Sequence, residues 1–572
     1  MRVRDVQPRS YEPNPHYPLE GADTIPGWAA SARSLPEGPV TLALDGPAAF
    51  DWHAAVALLS SALEERGLTV APTDLREQLA PWNEIVERTG FAGLADDPDF
   101  DRLADGTLGD LFDALVAPAP PAGGVALVFG PGAALVAHDV LWYADAPKRF
   151  AEAAVIAGRA PNLGQRPTDG PPTTKRLFYI DWPLLDRHRD AVAPDIDLWI
   201  DCQDLTAPRS VAGEALRRTA RSLARRPFRT RPTFNTTSWG GHWAQEELGM
   251  NRDAANTALG YELIAPESGV LVGESGSAVE VPFQLLVALH PDEILGPEVH
   301  EVFGTSFPVR FDYLDTVGGG SLSVHCHPQS DYMREVFGWP YTQHETYYVM
   351  VGGEQNTVYL GLREDADLAA FEHEAHEAHH HETPFDITAY VQTHAADPHQ
   401  LFVIPAGTPH GSGKGNVVLE VSATPYLYSL RFYDWLRRDA EGRQRPVHLG
   451  HAFENLTTGR TGDAVTEDLV PAPRPLRTGE GWREELLGAL PEMFFEVRRI
   501  VVEGDHPAED DTAGRFHILN LVEGEGVEIV TESGHRHALA YAETLVVPAS
   551  VGRYTLTRTG RSPVRLVKSL VR

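Results

Sequence analysis

The spacing of apolar positions changes character near residue 228. Before that point, continuous apolar runs end in glycine or aspartate and alternate with helical stretches. VTLALDG (40–46) reads as a buried strand entering a turn, and FDWHAAVALLSSALEERG (50–67) as a helix stopped by Gly67. GVALVFGPG (124–132), DVLWYADAP (139–147) and DIDLWIDCQ (195–203) repeat the strand pattern, and SVAGEALRRTARSLARR (210–226) reads as an arginine-rich helix with a solvated face. Strands alternating with helices predict an α/β unit with a parallel sheet. Residues 1–37, rich in proline and tyrosine, read as an extended arm.

Beyond residue 228, short alternating runs are separated by Gly, Pro and Asp turns, the mark of β-sandwiches or barrels. SLSVHCHP, ETYYVMVGG, NTVYLGLRE, LFVIPAGTPH and NVVLEVSATP are all strand-like, and strands return in FFEVRRIVVEG, FHILNLVEGEGVEIV, TLVVPAS and YTLTRTG. The Pro/Gly-rich stretch 467–481 marks a boundary between two β regions. The expected organisation is an arm (1–37), an α/β unit (38–228), a β domain with a helical insertion (229–470) and a last β domain (471–572). The insertion carries EHEAHEAHHHE (372–382), expected as an exposed helix.

Composition narrows the function. The chain has 572 residues, 42% hydrophobic and 23% charged, so it can bury large cores. Its 81 acidic against 48 basic residues give a net charge of −33, which repels nucleic-acid backbones and argues against such a partner. Only four of the basic residues are lysines (Lys148, Lys175, Lys414 and Lys568). Two cysteines, Cys202 and Cys326, exclude a disulfide framework. No apolar run is long enough to span a membrane and no signal peptide is legible, so a cytoplasmic protein is expected.

Two loops carry candidate chemistry. Between the first strand and helix, Gly46-Pro-Ala-Ala-Phe-Asp51-Trp52-His53 stands where a phosphate-binding loop would read G-x-x-x-x-G-K-[ST]. Trp52 replaces the lysine and His53 the hydroxyl residue, so no phosphoryl transfer is expected here. The stronger signal is His325-Cys326-His327, followed eighteen residues on by Glu345 and later by Pro405-x-Gly407-x-x-His410. Strand alternation puts His325 and His327 on one face and Cys326 on the other. Three imidazoles and a carboxylate suit a divalent metal such as Zn²⁺.

These motifs carry two resemblances. The α/β unit resembles, faintly, uridine-kinase-like P-loop domains with a degenerate loop. From about residue 232 onward the chain resembles type I mannose-6-phosphate isomerases, metal-dependent double cupins, on collinear segments. These include SWGGHWAQEELG (238–249), GYELIAPESGVL (260–271), LDTVGGGSLSVHCHP (314–328), HETYYVM (344–350), FVIPAGTPHGSGKGNVVLEVSATP (402–425) and LRFYDWLRRDAEGRQRPVHL (430–449). The resemblance implies a jelly-roll barrel and one divalent metal, usually zinc. It places the metal ligands at His325 (where the family has Gln), His327, Glu345 and His410. It implies an electrophilic role for Arg431 and puts Glu420 near the substrate. The implied reaction interconverts mannose 6-phosphate and fructose 6-phosphate through an enediolate. The proton-transfer base stays open between Glu420, a histidine and metal-bound water. One departure is Asp312, where the family often has lysine. With lysines scarce, the phosphate is expected on arginines such as Arg431, Arg437 or Arg310. The competing readings are a non-catalytic sugar-phosphate sensor and an Fe²⁺ cupin oxygenase. The last β domain is expected to be a metal-free, structural cupin.

Overall fold

The computed structural model describes residues 10–439 and 442–572; the first nine residues of the expected arm, and Ala440 and Glu441 of the 430–449 segment, lie outside the described residues. The N-terminal unit is a seven-stranded sheet. Its parallel part runs, in spatial order, Thr69–Asp74, Gly124–Phe129, Val40–Asp45, Val140–Asp145 and Leu198–Asp201. Two short antiparallel strands, Arg209–Ala212 and Ile25–Pro26, close one edge. The central strands are fully buried, as their unbroken apolar runs require. The arginine-rich segment begins as a strand rather than a helix: Ser210 and Val211 pair with the Leu198–Asp201 strand, and the helix spans Gly213–Leu223.

At the end of the first strand the expected phosphate loop is closed. The buried carboxylate of Asp45 accepts hydrogen bonds from the backbone N–H groups of Gly46, Gly132 and Ala134 and meets His188 Nε2 at 2.7 Å. Gly46 is the one of these amides on the 46–53 loop, and the chain's own carboxylate takes it; Gly132 and Ala134 lie on the loop after Gly124–Phe129. Trp52, at the lysine position, is fully buried and donates from its ring N–H to Pro47.

The middle domain is a two-sheet antiparallel barrel. One sheet orders Leu401–Ile404, Glu345–Val351, Val417–Ala423, Val309–Asp315, Leu259–Leu263 and Thr233–Asn235. The other orders Val391–Ala396, Gly353–Leu362, His410–Ser412, Val324–Cys326 and Leu430–Tyr433. The histidine-rich run forms the helix Leu368–His381, capped by Asp367 and seated through Phe371, Ala375 and Ala378. The last domain repeats the architecture with six- and four-stranded sheets. The Pro/Gly-rich stretch is not a free linker. Its end, Arg474–Gly479, is an exposed edge strand paired with Trp482–Gly488, with a register shift beside Pro475.

Inside the last barrel a closed polar network fills the interior. Lys568 Nζ meets Asp510 at 2.7 Å and also pairs with Glu484. Tyr554 donates to Asp510 and takes a hydrogen bond from His517 Nδ1, each at 2.8 Å. Burial, with Lys568 next, holds His517 down to about 3, so it stays neutral.

The arm ties the units together. His16–Tyr17 pairs in parallel with Leu271–Val272. Arg229 is buried between the barrels, 2.5 Å from Glu543 and 3.8 Å from Glu262, and donates to the arm's Glu12 carbonyl. Removing the cation of a buried ion pair leaves the charge of its carboxylates uncompensated. Arg229→Ala is expected to cost about 3–5 kcal/mol and lower the urea midpoint of the barrel unit, read by tryptophan fluorescence.

Candidate active site

Strand register builds the site from two facing rows. On one sheet His410, His325 and Arg431 lie directly across from one another on adjacent strands. On the other, Glu345, Ser422 and Arg310 form one row, and Tyr347, Glu420, Asp312 and Tyr261 the next. The face between the sheets receives both sets. Cys326 points the other way, with its thiol toward the Ala452 carbonyl outside the sheet.

The three imidazoles converge. One ring nitrogen from each of His325, His327 and His410 lies within 4.8 Å of the others, and all three residues are buried. Each Nδ1 sits against a backbone carbonyl: Ser323 at 3.0 Å, Tyr428 at 3.1 Å and Thr408 at 2.9 Å. A carbonyl only accepts, so each Nδ1 donates to its carbonyl and each Nε2 is turned toward the centre. Glu345 Oε2 lies 2.6 Å from His327 Nε2 and 3.6 Å from His410 Nε2. His410 Nε2 is buried with no hydrogen-bond partner. Three oriented imidazoles, one carboxylate and an orphaned buried nitrogen fit a divalent cation, and zinc suits that donor set.

The electrostatics agree with that fit. Burial, with His410 and His327 adding to it, pushes His325 well below the usual histidine range. Burial alone would raise Glu345, but His410 and His327 beside it hold it well below the carboxylate range. Burial likewise lowers His327, so His325 and His327 favour the neutral imidazole and Glu345 the ionised carboxylate, the forms that bind metal.

The rest of the barrel floor is acidic. Glu420 is held by Arg310 and by the Ser422 hydroxyl at 2.8 Å. Its pKa is raised well above normal, chiefly by burial, with Arg310 working against the rise and Asp312 adding to it. Asp312 stands beside Glu420, 3.8 Å from Arg310 Nε, with Oδ1 buried and unpartnered. Burial raises it to about 6. Gln343 Oε1 and the Tyr347 hydroxyl are likewise buried without hydrogen-bond partners. These residues line a cavity of about 290 Å³ in the barrel.

The arginines divide by duty. Arg310 is committed to Glu420 and Ser422, so the expectation that it grips a phosphate fails: both carboxylates of the floor need it. Arg437 is tied to Asp434 at 2.7 Å and to the Ser321 carbonyl. Arg445 shares Asp434 at 3.1 Å and donates to the Ser238 hydroxyl. Arg431 has no carboxylate within 4.0 Å among the described residues, and its side chain donates to the Pro446 carbonyl. Two guanidinium groups share Asp434, and Arg431 meets Asp434 and Asp99 only at longer range.

The structure thus brings His325, His327, Glu345, His410, Arg431 and Glu420 to one cavity. Sequence reasoning passed over Tyr347, Gln343 and Arg445 and saw Asp312 only as a departure. Alternation marks Tyr347 and Asp312, each two residues from a residue already singled out. Nothing local marks Arg445. Of the two tryptophans in the 238–249 segment, Trp239 lines the cavity and Trp243 packs edge-on against Tyr313.

With the geometry in place, the chain can be set beside known proteins. Residues 24–225 match a family described as a domain of unknown function, DUF8485. The mannose-6-phosphate isomerase of Streptococcus mutans is 26% identical over 328 residues, covering 55% of this chain and 89% of that protein. Over its C-terminal part, the chain is homologous to mannose-6-phosphate isomerases. The Bacillus subtilis isomerase ManA is 25% identical over 344 residues, covering 58% of this chain and 95% of that one. A crystal structure of the B. subtilis mannose 6-phosphate isomerase overlays with a TM-score of 0.48 at 20% identity, over 60% of this chain and 99% of that one.

The ligand geometry predicts that His410→Ala abolishes stoichiometric zinc in the purified, metal-loaded protein, measured by elemental analysis. His380→Ala, on the exposed insertion helix, is expected to retain it.

Proposed function

We propose that the chain is a metal-dependent aldose–ketose isomerase acting on a hexose 6-phosphate, with mannose 6-phosphate and fructose 6-phosphate as the pair. The observation that carries this is the join of two features in one cavity. A three-histidine, one-carboxylate centre stands in register with Arg431, and the surrounding segments are collinear with mannose-6-phosphate isomerases. His325, His327, Glu345 and His410 would hold the metal, zinc by donor preference. When bound, a divalent metal supplies a Lewis acid for the oxygens of the sugar.

The remaining steps fall to side chains. Isomerisation takes a proton from the carbon beside the carbonyl and returns it to the neighbouring carbon. Asp312 is the best-placed carrier: one carboxylate oxygen is unpartnered, whereas Glu420 is engaged by Arg310 and Ser422. Glu420 and Arg310 then act as the frame that positions Asp312. The intermediate carries negative charge on oxygen, and Arg431, adjacent to His325, offers an unpaired guanidinium to it. Arg445, with Ser238, is assigned to the phosphate.

The α/β unit has no place for phosphoryl transfer in this reading. Its resemblance to a P-loop domain extends to a parallel sheet and a strand–loop–helix, but Asp45 takes the Gly46 amide of that loop.

A coupled assay of the zinc-loaded protein tests the reaction. Fructose 6-phosphate should appear from mannose 6-phosphate and stop on chelation; tight binding without turnover would indicate a sensor instead. Arg445→Ala is expected to raise KM by roughly ten- to a hundredfold, the effect of losing one charged hydrogen bond of about 1.5–3 kcal/mol. With Asp312 acting as a base, kcat/KM should climb as pH rises through about 6, because the carboxylate must be ionised to accept the proton. Asp312→Asn should remove that acidic limb and most of the rate.

A further inference from the structure

A second, larger cavity of about 690 Å³ lies outside the barrel mouth. It shares Thr237, Leu259, Tyr261, Tyr426, Ser429 and Arg431 with the barrel cavity, so the two are continuous. Its far wall belongs to the N-terminal unit: Asp99 and Phe100 on one loop, Glu152 and Ala153 on the Lys148–Ile156 helix, and Phe178 and Tyr179.

That wall is anchored to the barrel. Phe100 is buried against Phe337, Tyr428, His448 and His451, with ring centroids 4.6–6.0 Å away. The Leu103 N–H donates to the Phe337 carbonyl, and Asp97 meets His451 at 2.9 Å. Arg149 grips Glu280 through two hydrogen bonds of 2.9 and 2.8 Å. The wall therefore keeps a fixed place over the mouth.

His448 marks where a ligand would be read. It is buried, and its Nδ1 accepts from the Arg431 backbone N–H at 3.2 Å. Nε2 must then carry the proton, yet it has no hydrogen-bond partner; the Asp99 carboxylate stands 3.4 Å away. One hydroxyl can accept from Nε2–H and donate to Asp99 at the same time.

The charge of the chamber selects the ligand. Arg149 is spent on Glu280, and Arg431 stands at the inner border. Asp99 stands against His448 and feels Arg431 only at longer range, and Glu152 has no cationic partner within 4.0 Å among the described residues. Free carboxylates repel a second phosphate and accept hydrogen bonds from hydroxyls. Phe178, Tyr261 and Leu427 add apolar faces suited to a sugar ring.

We propose that the N-terminal unit forms a subsite for a neutral, hydroxyl-bearing extension of the substrate, so that the preferred substrate is a glycosylated hexose phosphate rather than the bare hexose 6-phosphate. This rests on the isomerase reading for its chemistry, but not for its binding. The barrel cavity suffices for one phosphorylated hexose at the metal centre, and the outer chamber takes the attached sugar.

The test uses the full, zinc-loaded chain with mannose 6-phosphate and 4-O-glucosyl-mannose 6-phosphate. Calorimetry and turnover are measured for wild type, Ala153→Trp and Asp99→Ala. The wild type is expected to favour the glycosylated sugar by about tenfold or more in affinity or kcat/KM. Ala153→Trp, an exposed position whose new bulk enters the outer chamber, should erase that preference while mannose 6-phosphate stays within about twofold. Asp99→Ala should weaken the glycosylated sugar selectively. Equal affinity for the two sugars in the wild type, or a preference untouched by Ala153→Trp, overturns the subsite. Binding preference without turnover of either sugar overturns the isomerase assignment and leaves the subsite standing.

Discussion

Burying three carboxylates in one barrel sets the terms for everything around them. Asp312, Glu345 and Glu420 line one cavity, with Arg310 as the cation among them on the floor. At full ionisation this floor holds two uncompensated negative charges, and uncompensated buried charge is costly. A divalent cation held by His325, His327, Glu345 and His410 would offset that charge. The histidines are already fixed for it, because backbone carbonyls hold each Nδ1–H and turn each Nε2 inward. The raised pKa values of Asp312 and Glu420 follow chiefly from burial, with the neighbouring carboxylates adding to the rise.

The last barrel meets its buried acid with cations of its own. Its interior also buries acid, Glu484 and Asp510, but supplies Lys568 and Arg477 from the chain itself. The Tyr554 hydroxyl and neutral His517 complete the network. One barrel leaves polar atoms open and the other closes nearly all of them, and this difference separates a site from a structural core. The N-terminal unit repeats the closed pattern at Asp45, whose carboxylate takes the Gly46 amide from within.

Much of the site was legible in the chain. The period-2 placement of His325 and His327, with Glu345 and His410 at their spacings, specified a shared face before any tertiary contact was known. The break near residue 228 and the βα alternation before it gave the architecture. Glu420 and Arg431 came through resemblance alone. The misreadings have local causes. Ser210–Ala212 reads as helical because small residues tolerate both states, and pairing with Leu198–Asp201 decided it. Arg474–Gly479, within the stretch read as a boundary, is an edge strand, a place that tolerates Pro475 and Gly479.

The sequence by itself determined which residues alternate toward an interior and which strands are buried, because these depend on neighbours along the chain. Only the tertiary structure decided which arginine is free. Arg310, Arg431, Arg437 and Arg445 are equivalent as letters, and their duties follow from which carboxylate each meets across the fold. The same holds for the N-terminal unit. Nothing in its sequence points to the barrel mouth, because Asp99 and Phe100 reach His448 across roughly 350 positions of chain, and only folding brings them together.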